Sequence, residues 1–474
     1  MKILSKSPLI FNINPDLLED RKEVFYYRPE YINTMEKLKQ SKYPLKTIED
    51  ISKMVKDGTH FTPSYTSDGV IFLMVKNIKE EKIDFNEDIK YISEEEHKKL
   101  KACQPKPNDV LLTKVGTIGV ANVVPKNSPE FNIFVSVAKI ELKEGINPYY
   151  VKAFLNSMFG RIQMERLVKG VSQPDLHLID IRKIKIPMPP LNIQNNIAEI
   201  MENAYKEKNE KIKKANKLIG GINNIIIKEV EITLPRSVEQ NAYWINSDVL
   251  RDRRDPSFYS PKHLNLLKAI RSSPYEIESL KEISKSIISG RRPKGGVKYI
   301  GKGVPSIGGE HITSEGDFNF ENIRYIPKDF HQKQKKSWIN PLDILIVKDG
   351  ATTGKVTIVP KEFPFEECNI NEHVFKVEVR EGYNPYYIFS YLFSSLGQEQ
   401  INRWISGAAQ KGITGDAIEK VKIIIPPIET QNKIADEVKR RKKGSKRLEK
   451  EAAEVVEKGK EEAEKMIVGE SRFL

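Results

Sequence analysis

Cysteine is scarce: the chain has two, Cys103 and Cys368. Two thiols build neither a zinc cluster nor a disulfide framework, and they suit a reducing compartment. Histidine is sparse as well, with seven scattered residues, so no metal constellation is expected. Long apolar runs are missing. The longest, such as Val70–Val75 and Ile423–Ile425, are strand-sized, so no membrane-spanning helix is expected. The opening MKILSKSPLIFNINPD lacks the apolar core of a signal peptide, and a cytoplasmic location is expected.

What is present is a chain of 474 residues, enough for about two to four domains. Apolar residues make up 39%, sufficient for real cores, and charged residues 30%. Lys and Arg number 78 against 65 Asp and Glu, a formal net charge of +13. That surplus fits a polyanionic partner, or solubility alone.

The chain repeats itself. At an offset of 232, INPDLLEDR (Ile13–Arg21) lies on INSDVLRDR (Ile245–Arg253). At an offset of 237, GINPYY (Gly145–Tyr150) lies on GYNPYY (Gly382–Tyr387), and the register continues through Gln173/Gln410, Pro189-Pro190/Pro426-Pro427 and Gln194/Gln431. The period is several times that of a solenoid repeat. The protein is two copies of one domain-sized unit.

Each copy opens with a mixed α+β part. Short β-rich runs such as Val70–Val75, Val110–Thr113 and Val120–Val124 are punctuated by Gly, Pro and Asn. The spacing predicts a helix over Tyr149–Leu167. After a double proline the character changes. Proline is tolerated in a helix's first turn, so Pro189-Pro190 and Pro426-Pro427 mark the starts of two long helices. Apolar or small residues fall at Ile197, Met201, Ala204, Ile212, Ala215, Ile219, Ile222 and Ile226 in the first. In the second they fall at Ile434, Val438, Leu448, Ala452, Val455, Ala463 and Met466. Both follow 3-4 heptad spacing, and Gly220-Gly221 and Gly459 are expected to weaken the helices. A helix of about 38 residues is roughly 57 Å long. Pairing the two antiparallel gives a coiled coil with a globular domain at each end, a pseudo-two-fold dumbbell. Expected boundaries are 1–190, 191–235 (helix), 236–427 and 428–474 (helix). Two diverged readers on a rigid rod would suit an interrupted, asymmetric duplex target.

The chain resembles the specificity subunits of type I restriction–modification systems. The resemblance rests on the paired units and on the signature opening each long helix, IPMPPLNIQNNIA (Ile186–Ala198) and IIPPIETQNKIA (Ile424–Ala435). It rests also on a lysine followed by a Gly- and Thr-containing turn, KVGTIGVANVVP (Lys114–Pro125) and KDGATTGKVTIVP (Lys348–Pro360). The resemblance implies two target recognition domains and no catalytic residues. It implies double-stranded DNA, two methyltransferase subunits and restriction (motor–nuclease) subunits as partners. S-adenosylmethionine, ATP and Mg would be used by those other subunits, with no cofactor in this chain. Leu191, Gln194 and Ile197, with Ile428, Gln431 and Ile434, are the candidates for partner contact.

Other motifs fail. NPYY (Asn147–Tyr150, Asn384–Tyr387) is close to the Asn-Pro-Pro-Tyr of adenine methyltransferases, but Tyr149 or Tyr386 replaces the second proline and no Gly-rich donor-binding turn accompanies it. Asn-Pro also opens helices. GATTGK (Gly350–Lys355) and GVKYIGKG (Gly296–Gly303) each miss part of the phosphate-loop pattern.

DNA contact is expected at three polar turns present in both copies, since Lys and Arg bind phosphates and other side chains reach base edges. The first holds Thr59, His60 and Thr62 in one copy and Arg291, Arg292 and Lys294 in the other. The second holds Lys114 and Thr117, then Lys348, Thr352, Thr353 and Lys355. The third holds Gln173 and His177, then Gln410 and Lys411. Arg suits guanine and Gln suits adenine. Each turn can equally be a solvated loop or plain hairpin. The run KRRKKGSKR (Lys439–Arg447) fits the unread DNA, a partner subunit or a solvated face. Trp338 and Trp404 are expected as core. Two other readings stay open: a self-sufficient adenine methyltransferase with divergent motifs, and a coiled-coil scaffold without sequence readout.

Overall fold

The computed structural model describes residues 3–6, 9–11, 13, 15, 18, 23–169, 174–234, 242–245, 250, 253, 255–293, 299–407 and 411–470. Lys294, Gln173 and Gln410 lie outside the described residues, as do the first three residues of GVKYIGKG. The chain forms two compact units. One comprises Met1–Lys211 and Lys450–Leu474, the other Ile212–Glu449.

The first unit holds a four-stranded antiparallel sheet with strands in the order Ser52–Asp57, Val137–Leu142, Val110–Thr113, Ala121–Val123. The second unit repeats it as Ser284–Ser289, Val374–Val379, Ile344–Val347, Val356–Ile358. A second sheet lies beside each. It runs Phe131–Ile133, Val70–Leu73, Lys90–Ile92, Tyr65–Thr66 in one unit and Arg324–Ile326, Val304–Ile307, Asn369–Ile370 in the other. A two-stranded ladder closes each unit: Leu45–Thr47 with Lys185–Pro187, and Glu276–Ser279 with Lys422–Ile425.

The helix expected over Tyr149–Leu167 is two, Pro148–Asn156 and Met158–Leu167. Ser157 breaks it. Its hydroxyl donates to the Phe154 carbonyl at 2.6 Å and accepts from Gly160 N–H at 3.4 Å, so the second helix starts afresh on a serine cap. The long helices run Leu191–Glu229 and Ile428–Val468.

Each long helix is divided between the units, and in each the two helices pack against one another. In the first unit Lys211 Nζ lies 3.0 Å from Glu451, and Gly459 faces Ala204. In the second, Gly444 faces Leu218, Gly221 faces Arg441, and Lys433 Nζ lies 2.8 Å from Glu229. Partners fall along one helix as they rise along the other, so the pairing is antiparallel. Ile197 and Met201 share the first unit's core with Val456 and Ile467. Ile222 and Ile226 share the second's with Ile434 and Val438. Each such side chain contributes about 1.5–3 kcal/mol by burial.

The helix glycines do not act as expected from propensity alone. A Cβ at Gly459 would sit 2.9 Å from the Ala204 Cβ, and one at Gly221 would collide with the Arg441 guanidinium. These glycines make room for the opposite helix. Gly220 meets nothing within 4 Å. Gly220→Ala should therefore raise stability by about 1 kcal/mol through propensity, whereas Gly459→Leu should lower it by about 1–3 kcal/mol through overpacking. Thermal unfolding of the two variants checks the opposite signs.

Candidate nucleic-acid interface

The signature that opens each long helix works inside the fold. Gln194 accepts the Asn147 N–H at 3.0 Å and donates to the Pro189 carbonyl at 2.9 Å. Gln431 does the same with Asn384 N–H and the Pro426 carbonyl, at the same distances. The asparagines thus held cap the next helices: Asn147 accepts from Tyr149 N–H at 2.8 Å, and Asn384 from Tyr386 N–H at 2.9 Å. Tyr150 and Tyr387 are fully buried and donate to the Pro187 and Ile424 carbonyls. NPYY is thus a cap and an anchor. Of the residues expected at partner contacts, Gln194, Ile197, Gln431 and Ile434 are buried and face inward, a correction that follows from these bonds and the apolar cores. Leu191 and Ile428 are exposed.

The three polar turns converge in each unit. In the first, Val115 of the second turn forms a β-bridge to Asp175 of the third, and Leu176 N–H bonds the Lys114 carbonyl at 2.9 Å. The first turn joins them through Asp57, whose carboxylate lies 3.8 Å from Lys114 Nζ and 3.4 Å from His60 Nε2. In the second unit Gly350 N–H donates to the Lys411 carbonyl at 3.1 Å, and the Thr353 hydroxyl lies 3.2 Å from it. Arg292 Nε lies 3.0 Å from Glu372, which lies 3.4 Å from His373 Nε2, and His373 Nδ1 pairs with Asp349. Gly116, Gly119, Gly350 and Gly354 hold φ between 77° and 96°, the left-handed region that lets the second turn double back.

The turns share a backbone but differ in charge. Lys114 is 4% exposed, with its ammonium between Asp57 and Asp175, the latter at 3.3 Å. It is a buried ion-pair member and not a phosphate contact, which corrects its expected role. Burial pushes the Asp57 carboxyl up, against the pull of Lys114 and His60. In the repeat register Ser289 stands for Asp57 and Gly412 for Asp175. The equivalent lysine, Lys348, makes no ion pair among the described residues and lies 5.7 Å from the Phe375 ring centroid. Lys348 is half-buried.

The other candidates divide in the same way. His60, Thr62, Thr117, His177, Arg291, Arg292 and Lys411 are exposed. Thr59 is buried, its hydroxyl 3.2 Å from the Phe61 carbonyl. Thr352 donates to the Gly309 carbonyl at 3.1 Å and Thr353 to that of Gly350 at 2.6 Å, so both hold turns. Lys355 is half-buried. Sequence reasoning missed Asp57, Asp175, Asp349, Glu372 and His373. Their one signal was that the two copies disagree there.

Trp338 and Trp404 are half-buried. Trp338 stacks on His331 at 4.6 Å between centroids, and Trp404 packs edge-on to Phe258 at 4.8 Å. Within Lys439–Arg447 most charges are used internally. Lys439 pairs with Asp436, Arg440 and Arg441 with Glu437, and Lys442 and Lys446 with Asp317. Lys443 is exposed.

Comparison with known proteins agrees with this twofold plan. Residues 22–220 and 272–458 each match the family described as Type I restriction modification DNA specificity domain. The chain belongs to that family. It is 24% identical over 408 residues to the putative type I restriction enzyme MjaX specificity subunit of Methanocaldococcus jannaschii, covering 84% of this chain and 86% of that one. It is 26% identical over 159 residues, 33% of each chain, to the type I restriction enzyme EcoBI specificity subunit of Escherichia coli. Among solved structures, the S subunit from M. genitalium matches with a TM-score of 0.42 at 14% identity, covering 90% of this chain and 96% of that one. A chain from a study of complex assembly in the type I R-M system gives 0.46 at 15%, with the same coverage. The protein is a non-catalytic DNA sequence-specificity subunit, and neither the lone methyltransferase nor the readout-free scaffold is favoured.

Lys348→Ala should flatten the dependence of log affinity on log salt by about one unit. Lys114→Ala should leave that slope unchanged and destabilise its unit by about 3 kcal/mol, because two carboxylates lose their cation. Binding titrations across salt, with thermal unfolding alongside, separate the two.

Proposed function

We propose that the two units read two different short half-sites separated by unread base pairs, each through its own cluster of three turns. The observation that carries this is the convergence of the turns in both units on one backbone plan with different side chains. The cluster around His60 and Thr62 offers an exposed imidazole and hydroxyls, whereas the other offers Arg291, Arg292, Lys348 and Lys411. Arg suits guanine, and only the second cluster presents Arg among the candidate residues, so the half-sites differ. The readers correspond to residues 1–190 and 236–427, with 191–235 and 428–474 as the helical spacer.

In this reading the chain brings two methyltransferase subunits and the restriction subunits to a bipartite asymmetric target. Leu191 and Ile428, equivalent and exposed, offer those partners an apolar foothold at the start of each long helix. Methyl donor, ATP and Mg belong to the other subunits. The setting is cytoplasmic.

Selection of duplexes from a random pool by the complex reconstituted with its methyltransferase subunits, at near-physiological salt, tests the reading. Two short, different motifs at a fixed gap are expected. One continuous motif, or no enrichment by an intact complex, refutes it. Arg292→Ala should lower discrimination at one half-site by about 1–3 kcal/mol and leave the other untouched. Equal loss at both refutes its assignment.

A further inference from the structure

In both units one short hairpin is tied at once to the helix pair and to the strand that follows the second turn. The first unit's hairpin is closed by the bridge Ile78–Ile83, the second's by Ile312–Phe318. The side chain in the middle of the strand after the second turn bonds each hairpin. Asn122 Nδ2 donates to the Lys79 carbonyl at 2.6 Å and the Glu80 carbonyl at 3.1 Å. Thr357 donates to the Gly316 carbonyl at 2.9 Å. Asn122 and Thr357 are equivalent by sequence register and both buried.

The other end of each tie is on the long helices. The Tyr205 hydroxyl donates to the Glu80 carboxylate at 2.9 Å, Lys460 Nζ lies 3.1 Å from it, and Arg161 also pairs with it. Burial pushes the Glu80 carboxyl up, but these cations outweigh it and hold it below the usual carboxylate range. In the other unit Lys442 Nζ donates to the Glu315 and Gly316 carbonyls at 2.6 and 3.0 Å and lies 3.2 Å from Asp317. Tyr205 and Lys442 occupy the same position in the repeat, at the offset that aligns the double prolines. The chemistry is inverted. One helix grips an anion on the hairpin with a hydroxyl, and the other presents a cation to hairpin carbonyls and a carboxylate. Two solutions to one geometric task at equivalent positions mark the tie itself as the shared feature.

We propose that these ties are positioning latches. Each fixes the attitude of its unit's turn cluster relative to that unit's own stretch of paired helix, and so sharpens the gap length that the two readers accept. Glu80, Tyr205 and Lys460 are the positioning residues in one unit, Lys442 and Asp317 in the other. None touches a base in this scheme. The proposal rests on the two-reader function above.

The test uses the full chain reconstituted with its methyltransferase subunits. Duplexes carry the half-sites found for the wild type, with the gap varied base pair by base pair. For Glu80→Gln and, separately, Lys442→Met, discrimination against a gap one base pair longer or shorter should fall by about tenfold, the size of one lost charge-assisted hydrogen bond. The preferred bases in each half-site should stay the same. Tyr205→Phe keeps the ring and removes one hydroxyl; it should give a smaller widening and decides the matter if a charge variant fails to assemble. An unchanged gap profile, or lost base preference at an unchanged gap, overturns the latch while leaving the two readers standing. A wild-type complex that enriches no bipartite motif overturns both.

Discussion

The paired long helices carry apolar stripes that neither helix buries alone. In each unit half of one helix lies against half of the other, and both halves feed the core beneath the four-stranded sheet. The globular part of a unit is therefore unfinished until a stretch of the later or earlier helix arrives. Ile467 completes a core whose other members lie mostly before residue 206, and Ile222 completes one whose members lie mostly after 260. The glycines at the closest approaches follow from the same demand, since side chains there would push the helices apart.

Duplication kept what packing requires and let the turns diverge. The Gln–Asn–Pro fastener is the same in both units to within 0.1 Å at its compared bonds. A buried amide there must find both a donor and an acceptor, and few other side chains offer both. A second duplicated feature is the buried pair Lys139–Asp109, matched by Lys376–Asp343, in which burial raises both carboxyls, Asp343 to about 6. The turns are under no such constraint. There Asp57 gives way to Ser289 and Asp175 to Gly412, and a caged lysine becomes one with no ion pair among the described residues.

Much of the fold was legible because duplication prints its register in the chain and because double prolines announce helix starts. The long helices and the strand-sized runs follow from periodicity, whereas the antiparallel pairing of the helices follows from economy and resemblance. The site was legible only in outline. Three turns could be named, but Lys114 reads the same as Lys348 in sequence, and only its neighbours make one a buried ion-pair member and leave the other with no ion pair among the described residues. The signature residues misled in the same way: Gln194 and Gln431 look like a docking surface, and hydrogen bonding turns them inward.

The sequence by itself determined that the protein is two copies of an α+β unit followed by a long amphipathic helix, since repeat register and hydrophobic period are local properties of the chain. Tertiary structure alone decided which charges are available. Availability depends on carboxylates more than fifty residues away, Asp57 and Asp175 around Lys114, and on the hairpins that Tyr205 and Lys442 hold. Electrostatics acts through space, and a buried cation surrounded by anions presents almost nothing to a phosphate.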